Sequence, residues 1–217
     1  MRGLIKIAGL VALLAVAAPV GAAGAASSQD QALLNAGVVA ASDVPATWQS
    51  TKQPDTGLSQ LKKLPTCQRY RAMVTAARKN PFKLSPQFND PSNGGGTLAE
   101  DTVYAFKSTV AATRYVTPVL GGSAVQCLQT LLAHELGGQG QVGPFTPLSG
   151  LQGVGDQRGG YESVITIPGQ GTLVVDEVGV RVGRAFVGFT FTNPATTIPE
   201  GPGVVNAVVN RLTEAGA

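Results

Sequence analysis

Residues 161–192, YESVITIPGQGTLVVDEVGVRVGRAFVGFTFT, decide the fold class of this chain. The stretch contains three runs rich in Val, Ile, Phe and Thr, and this composition is typical of β-strands. The runs are Tyr161–Ile167, Gly171–Val182 and Arg184–Thr192. Strand alternation places two apolar sets on single faces: Val174, Val178, Val180 and Val182, and then Ala185, Val187, Phe189 and Phe191. Gly183 supplies a tight connection, so the last two runs are predicted to be neighbouring strands.

The sequence on either side predicts helices and a second hairpin. Apolar residues recur at helical spacing from Thr66 to Lys79, and two strands, Phe82–Phe88 and Thr97–Lys107, flank the loop NDPSNGGG. Further helices are expected after Ser108, around Cys127 and after Pro202. Helices grouped between and around hairpins, without regular β-α alternation, predict an α+β fold. We expect one domain, residues 26–217, with an antiparallel β-sheet and helices packed on it.

The N-terminal segment predicts export. Arg2 and Lys6 precede an apolar run of about 14 residues, and Ala23-Gly24-Ala25 fits the pattern that signal peptidase cleaves. A membrane anchor is the alternative, but it needs about 20 continuous apolar residues. We therefore expect residues 1–25 to be a signal peptide, no transmembrane anchor after processing, and a protein that is secreted or associated with the cell wall.

Two cysteines, Cys67 and Cys127, are present in the chain. In an oxidising compartment such a pair predicts a disulfide. Two buried thiols or a redox pair are the alternatives, although the C-x-x-C spacing of redox pairs is not found. The sequence therefore predicts one structural disulfide.

Four short motifs resemble catalytic or cofactor-binding sites, and each lacks a required partner. His134-Glu135 would begin a zinc-protease helix, but Gly138 stands where the second His is needed. The other three are Gly138-x-Gly140-x-x-Gly143, Asp55-Thr56-Gly57 and Ser59-x-x-Lys62. Each of these also lacks a part that its chemistry requires. The first lacks a preceding strand, the second lacks a second aspartate motif, and the third lacks its companion motifs. We therefore expect no cofactor and no metal site.

Charge is low and uneven along the chain. Removal of Arg2 and Lys6 leaves 14 basic and 13 acidic residues, which excludes a polycation built for nucleic acid. Between Asp55 and Asp90 every charged residue is basic. This block is either the solvated face of a helix or a patch for an anionic envelope polymer or an envelope protein. Its members are Lys62, Lys63, Arg69, Arg71, Arg78, Lys79 and Lys83.

Six aromatic residues are candidates for an apolar cleft. Five lie in predicted strands and one in the segment before the first helix, and a core position is the alternative for each. They are Trp48, Tyr104, Phe106, Phe186, Phe189 and Phe191.

Several segments resemble a known group in both sequence and order. They are SDVPATW at 42–48, Cys67 on an early helix, YAFKSTVAATR at 104–114, Cys127, GVGD at 153–156 and VRVGR at 180–184. Together they resemble secreted actinobacterial sensor-like domains, a group that includes the extracellular sensor domains of receptor serine/threonine kinases and PsbP-like envelope lipoproteins. This resemblance covers most of residues 39–213. It implies an α/β/α arrangement with a cleft and a binding role without catalysis.

These patterns predict a secreted or envelope-associated, sensor-like binding protein that engages a small amphiphilic ligand or an envelope partner. A hydrolase that uses carboxylates such as Asp101, Asp156 or Asp176 is one alternative. It is favoured if two of these are buried together with shifted pKa values. A structural envelope protein is the other alternative, and it is favoured if the fold has no cleft.

Overall fold

The computed structural model describes residues 26–53, 61–93, 96–194 and 196–217. The predicted signal peptide lies outside these residues, as do Asp55-Thr56-Gly57 and Ser59. The described part contains five α-helices: α1 (Ser28–Ala36), α2 (Gln68–Ala77), α3 (Thr109–Val119), α4 (Gly122–Leu136) and α5 (Gly201–Glu214). None of these helices is by itself long and apolar enough to cross a membrane; α3 and α4, bent by 55°, meet that criterion only as a pair.

Nine strands in the described residues form one antiparallel sheet. They are β1 (Gln49–Thr51), β2 (Phe82–Leu84), β3 (Gln87–Asp90), β4 (Thr97–Ala105), β5 (Gln141–Val142), β6 (Thr146–Pro147), β7 (Gln157–Ile167), β8 (Gly171–Val182) and β9 (Ala185–Pro194). Their order is β1-β3-β4-β9-β8-β7-β5, with β2 also paired to β4 and β6 to β7. The predicted α+β class, with helices packed on an antiparallel sheet, is confirmed.

The predicted strand Phe82–Phe88 is divided into β2 and β3. Both pieces pair with β4, but Leu84 lies opposite Thr102 while Phe88 lies opposite Ala99, so β2–β3 contains one extra residue. The interruption falls at Ser85-Pro86, where proline has no N–H to give to the sheet. This extra residue is a β-bulge, which sequence alternation alone did not indicate.

Helices cover both faces of the sheet. The face that we call the three-helix face lies under α2, α3 and α4, and its core includes Tyr104, Val175 and Phe186. The opposite, two-helix face lies under α1 and α5, and its core includes Val187 and Phe189. Because both faces of the central strands are buried, residues of either parity along β4, β8 and β9 are excluded from water. The fold is therefore a three-layer α/β/α arrangement.

The predicted disulfide joins Cys67 to Cys127. Cys67 ends the short turn before α2, Cys127 lies in the middle of α4, and both residues are fully buried. The bond closes a segment of 60 residues that includes the hairpin β3–β4. It therefore fixes two helices of the three-helix face to each other.

We expect the double variant Cys67→Ala/Cys127→Ala to fold with a lower free energy of unfolding. Closing a loop of 60 residues removes unfolded-state entropy worth about 4 kcal/mol. Urea denaturation of the variant, and of the wild-type protein with and without reductant, measures this difference. Equal unfolding midpoints in all three samples would show that the bond does not stabilise the fold.

Candidate functional site

A cleft opens on the two-helix face beside the start of α5, and we call it the α5 cleft. Its volume is about 170 Å³. Segment 148–154 forms one wall, the sheet forms the floor, and the first turns of α5 with the residues before it form the other wall. Apolar side chains dominate the lining: Leu148, Leu151, Val154, Val178, Phe191, Ile198 and Val205.

Backbone anchors hold segment 148–154 over the sheet. The Leu148 N–H donates to the Gly160 carbonyl at 2.9 Å, and the Asp156 N–H donates to the Arg181 carbonyl at 2.8 Å. Gly160 lets the segment come close, since a Cβ there would lie only 3.0–3.1 Å from methyl groups of Leu148 and Leu151. A glycine on β7 thus allows two leucines to close one side of the cleft.

Asp176 is the single ionisable group among the described residues that line the α5 cleft. Its side chain is 3% exposed, and its Oδ1 atom has no hydrogen-bond partner. Glu162 lies directly opposite it across the β7–β8 pair and accepts a hydrogen bond from the Thr197 hydroxyl at 2.7 Å. Burial, with a smaller contribution from the Glu162 charge, raises the pKa of Asp176 to about 7. The cleft therefore combines apolar walls with one acidic edge.

The three carboxylates considered for a hydrolase do not come together. Asp101 accepts a hydrogen bond from the Val39 N–H at 2.8 Å, and burial raises its pKa to about 7. Strand β9 separates Asp101 from Asp176, and their partners on β9 are two residues apart. Asp156 instead binds Arg181 at 3.1 Å and the Gly183 N–H at 2.7 Å. This set does not meet the condition that two of the three be buried side by side.

A different pair of acids is buried on the three-helix face. Glu100 on β4 and Glu177 on β8 both lie opposite Thr190 on β9. The Thr190 hydroxyl lies 3.1–3.2 Å from the two Glu177 oxygens, and the Gln87 amide donates to Glu100 at 2.7 Å. Burial raises the pKa of Glu100 to about 8 and that of Glu177 well above its ordinary value. Sequence analysis missed this pair, although strand parity places both acids on the face of Tyr104.

The six aromatic candidates are divided between the two faces. Tyr104, Phe106 and Phe186 form a ring cluster with Tyr115 on the three-helix face. Phe189 and Phe191 stack at 5.9 Å on the two-helix face, where Trp48 is partly buried. Phe186 and Phe189 differ by an odd number of residues on one strand, so they cannot share a face. Of the six, Phe191 lines the α5 cleft.

The basic block is also divided. Lys62, Lys63 and Arg69 are exposed, Arg71 is half-buried, and Lys83 donates to Asn35 at 2.7 Å. The Arg78 guanidinium is buried and lies 5.5 Å from the centre of the Phe82 ring. Lys79 lines a more open groove of about 610 Å³ together with two cations that sequence analysis did not include, Lys107 and Arg184. Arg184 is already paired there with Asp30 at 2.6 Å.

Among the described residues, no group of three or more His, Cys, Asp or Glu side chains is arranged to hold a metal ion. His134 is exposed in the last turn of α4, and Gly137 ends that helix with a φ of 56°. The His134-Glu135 motif therefore sits at a helix end, where Gly138 provides no ligand.

No protein-family model and no curated protein matches this chain. Eight chains of solved structures match it. One is the extracellular domain of PknH from Mycobacterium tuberculosis, with 12% identity, a TM-score of 0.44, and coverage of 70% of this chain and 76% of that one.

We expect the free energy of unfolding to fall as the pH rises from 5 to 9. The Glu100 carboxyl has a pKa of about 8 in the folded protein and an ordinary value of 4.5, so its stabilising contribution is complete below pH 4.5 and is lost through pH 8. The slope between these values is about 1.4 kcal/mol per pH unit for each such group. Asp101, Asp176 and Glu177 act in the same direction.

Urea denaturation at pH 5, 7 and 9 measures this slope. In Glu100→Gln the total loss of stability between pH 5 and pH 9 should be smaller than in the wild type by several kcal/mol, because the buried group no longer ionises. The matched control is Glu214→Gln, at an exposed residue at the end of α5, which should keep the wild-type slope. A wild-type stability that is constant or increases with pH contradicts the burial of these acids as protonated groups.

Proposed function

We propose that this chain is a secreted or cell-envelope-associated binding protein that holds a small amphiphilic molecule in the α5 cleft, without catalysis. One observation carries the proposal: a cleft with apolar walls has a single buried carboxylate among its described lining residues. Apolar pockets with a few placed polar groups are the usual form of small-molecule sites. A purely structural envelope protein would have no use for such a cleft.

The size of the cleft limits the ligand. An apolar protein cavity of about 150 Å³ binds benzene, so the 170 Å³ of the α5 cleft suits a group of about six carbons. Burial of six methylene groups contributes about 5 kcal/mol before the entropy of association is subtracted. We therefore expect a short alkyl chain or one ring to bind inside weakly, and the rest of a larger amphiphile to extend outside.

The extracytoplasmic location is supported by the disulfide and by the N-terminal sequence. A disulfide between fully buried cysteines persists in oxidising compartments and is rare in the cytosol. Residues 1–25 have the basic, apolar and small-residue order of a signal peptide. We propose that the mature domain begins at Ala26, two residues before α1.

Blocking the cleft should abolish binding of a short apolar probe. Asn206 is exposed, lies on α5 and lines the cleft, so Asn206→Phe fills the opening without disturbing the core. Asn210, one turn later and also exposed, is not among the lining residues, and Asn210→Phe is the matched control. Titration of hexan-1-ol followed by protein NMR should give saturable shifts in wild type and Asn210→Phe that Asn206→Phe loses.

Equal hexan-1-ol binding by the two phenylalanine variants would overturn the α5 cleft as the site. No saturable shift in any of the three proteins would overturn the binding function itself. Circular dichroism confirms that each variant is folded.

Export and processing should be visible in the mass of the protein. Expressed in an exporting host, the chain should be recovered outside the cytoplasm with Ala26 as its first residue, and reduction should add two daltons. Intact-mass spectrometry with and without reductant measures both features. A cytoplasmic protein that keeps residues 1–25, or one with two free thiols, contradicts this part of the proposal.

A further inference from the structure

The acidic edge of the α5 cleft has no basic counterpart among the described residues. Asp176 faces the cleft, and Glu162 lies opposite it on β7. Directly opposed like charges destabilise a sheet, so this pair is costly unless something else compensates it. Thr197 donates to Glu162, whereas the Asp176 Oδ1 atom has no partner.

Every described element around Asp176 lacks a cation that could serve as this partner. Segment 148–154 has no ionisable residue, and the segment before α5 adds another acid, Glu200. From Gly201 to Asn210, α5 has no charged residue, and β9 has none along its length. Arg158 shares the face on β7, but it is four residues from Glu162 and donates to the Gly155 carbonyl. As far as the described residues go, the charged edge of the cleft is therefore acidic.

We propose that the α5 cleft selects amphiphiles whose polar end is a protonated amine, with the ammonium donating to the buried Asp176 carboxylate and attracted by Glu162 at the rim. This inference rests on the proposed function and names the chemical class of its ligand. The apolar part of the ligand lies against Val178, Phe191 and Val205, and the ammonium supplies the hydrogen bond that Asp176 Oδ1 lacks. A carboxylate or phosphate end would instead meet two acids.

Binding of an amine is coupled to loss of a proton from the site. The pKa of Asp176 is raised to about 7 by burial and by Glu162, so below this pH the carboxyl is largely neutral. The ammonium binds the ionised form, and its affinity therefore rises between pH 5.5 and 8.5. An alkylamine loses its own charge at a pH of about 10, so the affinity falls again above that value.

Three probes with the same six-carbon chain test the inference: hexylamine, hexan-1-ol and hexanoate, each titrated into the mature, disulfide-bonded protein. At pH 8 we expect hexylamine to bind about tenfold or more tightly than hexan-1-ol, which is the usual gain from a hydrogen bond to a charged group. Hexanoate should bind most weakly. Only the hexylamine affinity should increase from pH 5.5 to 8.5.

Asp176→Asn should remove the preference for the amine: in this variant hexylamine should bind about as tightly as hexan-1-ol, and the hexylamine affinity should no longer depend on pH. The matched control is Glu214→Gln, which removes one carboxylate at the exposed far end of α5 and should keep the tenfold preference. If Asp176→Asn does not fold, the variant Glu162→Gln tests the amine inference in its place. It should move the pH at which hexylamine affinity rises to a slightly lower value, because burial still raises the Asp176 pKa but the smaller contribution of the Glu162 charge is gone.

The outcomes separate this inference from the proposed function. If hexan-1-ol or hexanoate binds as tightly as hexylamine, and Asn206→Phe still abolishes binding, the cleft is a ligand site but the amine selectivity is wrong. If Asn206→Phe does not change binding, the proposed site is wrong as well. A hexylamine affinity that stays constant from pH 5.5 to 8.5 in the wild-type protein also overturns the amine inference.

Discussion

The register of four central strands, β4, β9, β8 and β7, is the constraint on which the rest of this structure depends. Helices bury both faces of β4, β9 and most of β8, so most residues along these three strands are enclosed by one core or the other. A shift of the register by one residue would exchange the two faces and place every side chain against the wrong helices. The two-residue turn at Gly183 helps to fix this register. Its φ is +51°, and a Cβ there would lie 2.0 Å from the backbone of Ala217.

The same register determines where the acidic residues lie. Glu177 and Asp176 are adjacent in sequence, and therefore one is enclosed by the three-helix face and the other faces the α5 cleft. Glu177 is compensated by Thr190 and by protonation, which the surrounding helices favour by excluding water. Asp176 keeps an unpaired oxygen at the edge of an accessible cleft. Of these two adjacent acids, one is therefore enclosed in the core of one face and the other lines a cleft on the opposite face.

The two faces are stabilised by different means. The disulfide joins the end of the turn before α2 to the middle of α4 on the three-helix face. On the two-helix face, Arg211 of α5 binds Asp43 with two hydrogen bonds of 2.6 and 2.8 Å and also donates to the Ala36 and Val38 carbonyls. This cluster links α5 to the segment after α1. It lies toward the C-terminal end of α5, which leaves the first turns of that helix available to form the cleft wall.

The sequence by itself determined the long strands β4, β7, β8 and β9, the helices α2 to α5, the α+β class and the disulfide. The helices and strands depend on local periodicity, as in the Val-rich face of α5 and the alternation of Ala185, Val187, Phe189 and Phe191. The disulfide follows because Cys67 and Cys127 are the two cysteines of the chain, so each has one possible partner in it. Only the tertiary structure decided the sites. The pairing of Glu162 with Asp176, the burial of Glu100 and Glu177 on either side of Thr190, the division of the aromatic residues and the position of segment 148–154 all depend on which strands become neighbours. Residues far apart in the chain meet only when the sheet sets their register, and no local pattern encodes that distance.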